Sequence, residues 1–186
     1  MIKFSYIIVH RLSSFDSAAD VQRTFAMLKE CGYDGVELNL EDPPGVDRSQ
    51  LRKWTDDLGL AIPSFLTGEA YNDGLCLSSP DETIRQRAIH RLTGYLDSAS
   101  EFNAILVVGL MQGLRSDEPD PAIANQRIAD CLRRVAEVAE QKNVEFVIEP
   151  INHLQVGFNH CVAEVRQLIK TIGSPAIRPM LDTIHM

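Results

Sequence analysis

An α/β fold of the (β/α)8-barrel type is predicted for this chain by three features. Strand-like and helix-like segments alternate strictly along its 186 residues. Such alternation implies a parallel sheet joined by right-handed crossovers. Two strand-like runs lead into acids: Val144-Glu145-Phe146-Val147-Ile148 into Glu149, and Ile177-Arg178-Pro179-Met180-Leu181 into Asp182. In a parallel sheet the strand C-termini face one way, and ligands bind there. Neither a GxGxxG after the first strand nor a Walker A pattern is present, which weighs against dinucleotide and P-loop folds.

Six strands and five helices follow in order. The first strand spans about 2–9. A helix is expected over 17–31, with Val21, Phe25, Met27 and Leu28 near helical spacing and Gly32 as its stop. The second strand is 35–39. Pro43-Pro44-Gly45 breaks the chain, Asp47 caps a helix over 49–58, and Gly59 ends it. The third strand is 61–66, followed by a loop over 67–74. Ser79-Pro80-Asp81-Glu82 reads as a helix start with proline at the first helical position, and the helix runs over 81–102. The fourth strand is 104–109, with Met111-Gln112-Gly113 in its loop. A helix covers 121–142. The fifth strand ends at Glu149, a helix covers 161–172, and the sixth strand ends at Asp182.

There is no linker, low-complexity segment or shift in composition, so residues 1–186 are read as a single domain. A complete barrel needs eight units and about 250 residues. The expectation is therefore a barrel with only about six β/α units, from which two units, roughly 80 to 100 residues at this spacing, are missing. The natural product is expected to extend beyond Met186.

A net charge of −8 argues against a nucleic-acid backbone as partner, because such binding relies on clustered Lys and Arg. It allows a neutral sugar or a divalent cation. The apolar N-terminal run is shorter than the roughly 20 residues that span a bilayer and lacks a small-residue cleavage site. No membrane association is expected, and the protein is read as cytoplasmic. Cys31, Cys76, Cys131 and Cys161 lack CxxC spacing and are read as reduced thiols. Cys31 and Cys131 fall on expected helices, in small packing roles.

Glu149 is the leading candidate for function, because an acid directly after a buried run is costly unless it is used. Its structural alternatives are a helix cap or an arginine partner. Asp182 is the second candidate, with a helix cap as its alternative. His185, Asn152 and His153 lie in the loops beyond these acids. Glu37 ends the second strand inside the expected mouth, or else forms a structural salt bridge. Glu69 and Gln112 are loop candidates. His10, His90 and His160 are read as structural or solvated, Trp54 as outer packing, and the charged positions of 121–142 as a solvated face.

Three segments, Gly32-Tyr33-Asp34-Gly35-Val36-Glu37-Leu38, Glu149-Pro150-Ile151-Asn152 and Leu181-Asp182-Thr183-Ile184-His185-Met186, resemble the xylose isomerase-like TIM-barrel superfamily. The resemblance is closest to sugar isomerases and epimerases of the D-tagatose 3-epimerase and hydroxypyruvate isomerase type. It implies a divalent cation, Mn²⁺, Mg²⁺ or Co²⁺, at the barrel mouth. It implies Glu149 as metal ligand and base, and Asp182 as second ligand. It implies that His185 touches substrate oxygens near the metal. A histidine on strand seven and a glutamate on strand eight complete the shell in that superfamily, and neither exists here. Gln155 stands where the epimerases often carry an acid that holds the far end of the substrate.

The residue types fit that chemistry. Moving a proton beside a carbonyl needs a base and something to stabilise the enediolate. A carboxylate serves as base, and a cation on hard oxygen ligands serves as Lewis acid. The leading expectation is therefore a metal-dependent isomerase or epimerase of a small sugar or hydroxyketone, for which the absent strands are needed for full activity. The alternatives are a catalytically incomplete open barrel that forms a homo-oligomer, and a polyol dehydratase on the same scaffold. A phosphodiesterase of the apurinic endonuclease kind is disfavoured by the acidic balance and by the lack of histidine ligands on the early strands.

Overall fold

A computed structural model describes residues 2–185 of the chain. Met1 and Met186, the outermost residues of two segments discussed above, lie outside the described residues. The order is β1 (Ser5–Ile8), α1 (Ala18–Glu30), β2 (Gly35–Asn39), α2 (Arg48–Leu58), β3 (Ser64–Leu66), α3 (Gly68–Asn72), α4 (Glu82–Phe102), β4 (Ile105–Val108), α5 (Pro121–Lys142), β5 (Phe146–Ile148), α6 (Val162–Ile172) and β6 (Ile177–Pro179). The six strands form one sheet in sequence order, and every neighbouring pair is parallel. This is the α/β barrel architecture, with six strands in place.

The helix ends follow local chemistry. Ser17, Asp47, Asp81 and Asp120 accept a backbone N–H of the first turn of α1, α2, α4 and α5. Pro121 opens α5, where its missing N–H is harmless. Gly59, Asn103, Asn143 and Gly173 close α2, α4, α5 and α6 in the left-handed conformation.

The core lies between the sheet and its helices. Val36, Leu38, Phe65, Leu106, Val108, Phe146 and Ile148 are fully buried on the outer face of the sheet. Phe25, Leu92, Leu96, Leu132, Val135 and Val165 belong to the same buried cluster. Each such side chain contributes on the order of 1.5–3 kcal/mol through removal from water. Phe65 meets Phe102 of α4 edge-on, with ring centroids 5.9 Å apart. Alternate strand residues face the other way, into the barrel. Ile7, Val9, Leu66 and Val107 line that inner side.

Several expectations are corrected. β1 is Ser5–Ile8 rather than 2–9, because among the described residues it pairs with β2 alone. β3 is Ser64–Leu66 rather than 61–66: Pro63 has no N–H to donate, leaving one isolated bridge between Gly35 and Ala61. β6 ends at Pro179. Its ladder reaches one residue further, since Met180 N–H donates to Ile148 C=O at 3.0 Å, and Asp182 lies in the loop beyond. Pro80 precedes the cap of α4 and is not its first helical residue. The expected loop over 67–74 contains α3. Five residues show no periodicity, and tertiary contacts hold this helix: Ala70 is buried, Arg11 pairs with Glu69 and Asp73, and Tyr71 donates to Asp117 at 3.1 Å. Cys31 is an exposed helix end, whereas Cys131 is buried as expected. Trp54 packs on Phe25 in the outer layer. Among the described residues no helix is long and apolar enough to cross a membrane.

The two faces of the sheet should respond differently to truncation. Phe65→Ala is expected to lower stability by about 3–5 kcal/mol, because Phe65 is fully buried. Ile105→Ala, on the inner face and 37% exposed, is expected to lower it by under about 1 kcal/mol. Urea unfolding of both variants checks this, and equal losses would contradict the assigned core.

Candidate functional site

Three parallel strands bring the two acids together. Glu149 follows β5, and its N–H donates to Val108 C=O at 3.0 Å, so its backbone is still held in the sheet. Asp182 follows β6 by three residues. Its Oδ1 accepts the N–H of Ile184 at 2.9 Å, and its carbonyl accepts the N–H of His185 at 3.2 Å. This closes the helical turn Thr183–His185 and carries His185 back over Glu149. One ligand atom each from Glu149, Asp182 and His185 lie within 4.8 Å of one another. The Nε2 of His185 is 3.6 Å from Oε1 of Glu149.

These residues stand at the C-terminal ends of the strands, beside a pocket of about 200 Å³. Its wall combines apolar inner-face residues with Asn39, Thr67, Glu149, Gln155 and His185. The volume is below the 300–1,000 Å³ usual for drug-sized ligands, so the pocket suits a small one. A larger cavity of about 390 Å³ lies between α5 and α6, and Glu149 does not line it.

Glu149 is mostly buried. Among the described residues its carboxylate takes no hydrogen bond from a donor. Burial first, and the charge of Asp182 second, push it up to about 7. Gly109 makes room for it: a Cβ there would meet Oε2 of Glu149 at 2.7 Å and Cδ1 of Ile151 at 2.8 Å. A buried carboxylate with no donor, facing a second carboxylate, is an oxygen-rich set that suits a hard divalent cation.

The other sequence candidates fall in several places. Asn152 belongs to the cluster, with Nδ2 2.9 Å from Nδ1 of His185. Gln155 lines the pocket. Glu37 lies one side-chain repeat below Asn39, its two oxygens taken by the hydroxyls of Ser5, at 2.5 Å, and Ser64. Gln112 is fully buried. Its Nε2 donates to Glu149 C=O at 3.0 Å and Gly109 C=O at 3.3 Å, so it braces the backbone instead of facing the pocket. Glu69 is tied to Arg11. His153 is exposed, and His160 contacts Ile151 C=O through Nδ1 at 3.0 Å.

Sequence reasoning missed Gly109, Asn39 and Asn159. Asn39 donates to Val9 C=O at 3.2 Å and accepts the N–H of Glu69 at 3.2 Å, joining three loops at the rim. Asn159 donates to Oε1 of Gln112 at 2.9 Å. No local pattern marks these residues. The only hint at Gly109 is a glycine at the end of an apolar strand.

A family model described as xylose isomerase-like TIM barrel matches residues 25–186. The chain belongs to this family. An L-ribulose 3-epimerase from Mesorhizobium japonicum is 27% identical over 177 residues, covering 94% of this chain and 58% of that protein. A solved L-ribulose 3-epimerase superposes with a TM-score of 0.82 at 25% identity, covering all of this chain and 62% of that one. A solved D-psicose 3-epimerase with D-tagatose, from Clostridium cellulolyticum H10, superposes with a TM-score of 0.79 at 20% identity, covering all of this chain and 65% of that one. This xylose isomerase-like chain therefore spans less than two thirds of each of these relatives.

The electrostatics of Glu149 make a testable demand on the metal-free chain. An ordinary carboxyl titrates near 4.5 and this one near 7. As pH rises between those values, the unfolded state loses its proton first, so stability falls by about 3 kcal/mol in total. Below the window both states hold the proton and nothing is lost. Glu149→Gln is expected to flatten this fall and to be the more stable protein at about pH 8 in a chelator. Urea unfolding across the window measures it, and identical pH profiles would rule the assignment out.

Proposed function

We propose that this chain carries one half of the proton-transfer site of a metal-dependent isomerase or epimerase acting on a small ketose or hydroxyketone. The observation that carries this reading is the Glu149 carboxylate, buried, accepting no hydrogen bond among the described residues and facing Asp182 and His185. The epimerases among its relatives support the reaction class.

Glu149 is the base. It takes a proton from the carbon next to the carbonyl and can return one to it. Glu149 and Asp182 would hold a divalent cation such as Mn²⁺, Mg²⁺ or Co²⁺, which supplies Lewis-acid stabilisation of negative charge on the substrate oxygens. His185 contacts a substrate oxygen from the same side. Ile7, Val9, Leu66 and Val107 line the same pocket and offer an apolar surface to the carbon skeleton. Gln155 meets the far end of the substrate. An epimerase needs a proton donor on each face of the carbon, and Glu149 serves one face. The second is proposed to come from a further part of a complete barrel, consistent with the greater length of the relatives.

Two measurements test this together. Mn²⁺ titration by calorimetry is expected to show one site per chain, weakened at least about tenfold by Glu149→Gln and by Asp182→Asn. Exchange of the carbon-bound proton of a ketose with deuterated solvent, followed by NMR, is expected to need the metal. It should fall at least about a hundredfold in Glu149→Gln. A chain that binds no divalent metal and exchanges no proton would overturn the reading.

A second reading, association of open barrels, is favoured by one observation. β1 and β6 stand at the two ends of the sheet order, and Ile2, Phe4, Ile7, Val9, Leu181 and Ile184 are exposed beside them. Unpaired strand edges and bared apolar surface drive chains together. Sedimentation velocity at micromolar concentration is expected to show a dimer or larger species. A monomer throughout would count against association.

A further inference from the structure

We propose that Asn152 fixes His185 in the tautomer that carries its proton on Nε2, making the ring a hydrogen-bond donor towards the pocket and not a third metal ligand beside Glu149 and Asp182. The proton placement stands on geometry alone. Its consequence for substrate rests on the metal-dependent reading above.

A backbone group that cannot be reversed fixes the Asn152 amide. The N–H of Leu154 donates to a side-chain atom of Asn152 at 3.0 Å. A backbone N–H is only a donor, so that atom is the oxygen Oδ1. The orientation of the amide, often ambiguous, is thereby settled. Nδ2 must then be the atom that faces Nδ1 of His185 at 2.9 Å and Oε1 of Gln155 at 2.8 Å. Its two hydrogens serve those two partners. An amide nitrogen offers no lone pair to an imidazole, so Nδ1 of His185 is the acceptor. In the neutral ring the single proton is then on Nε2.

Nε2 is the ring atom that faces the site, 3.6 Å from Oε1 of Glu149. A nitrogen that holds a proton there cannot also ligate a cation, because ligation needs its lone pair. A ligating histidine is held the other way round, donating its second N–H to a carboxylate or carbonyl. Asn152 presents a donor at that place. The arrangement thus divides the cluster: two carboxylates for the cation, one N–H for a substrate oxygen. The ligand class for the N–H is a carbonyl or hydroxyl oxygen that gains negative charge as the adjacent C–H proton leaves. Asn152 is a positioning residue in this scheme, acting through His185.

The test uses the metal-free chain, so it reads the tautomer whether or not metal binds. Long-range ¹H–¹⁵N NMR at about pH 8.5, above the ordinary imidazole range, separates Nε2–H from Nδ1–H rings. Loss of one ring signal in His185→Asn assigns it. The wild-type chain is expected to show Nε2–H. Asn152→Asp places an acceptor against Nδ1, and the proton is expected to move to Nδ1. A wild-type ring protonated on Nδ1 would overturn the proposal. So would an Asn152→Asp chain, shown folded by circular dichroism, that keeps its proton on Nε2. The Mn²⁺ titration is a separate experiment, so a failed metal reading is not mistaken for a failed tautomer.

Discussion

The candidate site depends on the parallel ladder that joins β4, β5 and β6. Glu149 N–H donates to Val108 C=O, and Met180 N–H donates to Ile148 C=O, each at 3.0 Å. These two bonds stagger the strand ends so that acids 33 residues apart in sequence share one corner of the mouth. Shifting either strand by one residue would turn its acid to the outer face. The outer face prevents that shift, because Phe146, Ile148 and Ile177 are buried in the core. Hydrophobic burial on one face thus places charge on the other.

That placement is expensive, and the structure shows how it is tolerated. Glu149 is mostly buried, its carboxylate accepts no hydrogen bond among the described residues, and burial pushes it far above an ordinary carboxyl. Gly109 leaves room for the carboxylate, and Gln112 braces the backbone on either side of it.

Much of the fold was legible in the chain itself. Helices α2, α5 and α6 and strand β2 lie within a residue of their expected positions, because caps such as Asp47, Gly59 and Gly173 state the boundaries locally. The errors share a cause. β1, β3 and β6 are shorter than their apolar runs, since strand length is set by the neighbour that pairs. Helix α3 was invisible, because it is held by Arg11 and Asp117 from elsewhere in the chain.

The sequence by itself determined the order of elements, the parallel sheet and the prominence of Glu149 and Asp182. Each of these follows from patterns a few residues wide: period, breaker, apolar run into an acid. Only the tertiary structure decided which candidates share a site. It set Glu37 between two serines and Gln112 behind the backbone, and it brought Asn152 onto the ring of His185. Those relations are distances across the sheet and between loops, and a distance between residues remote in sequence exists only once the chain has folded.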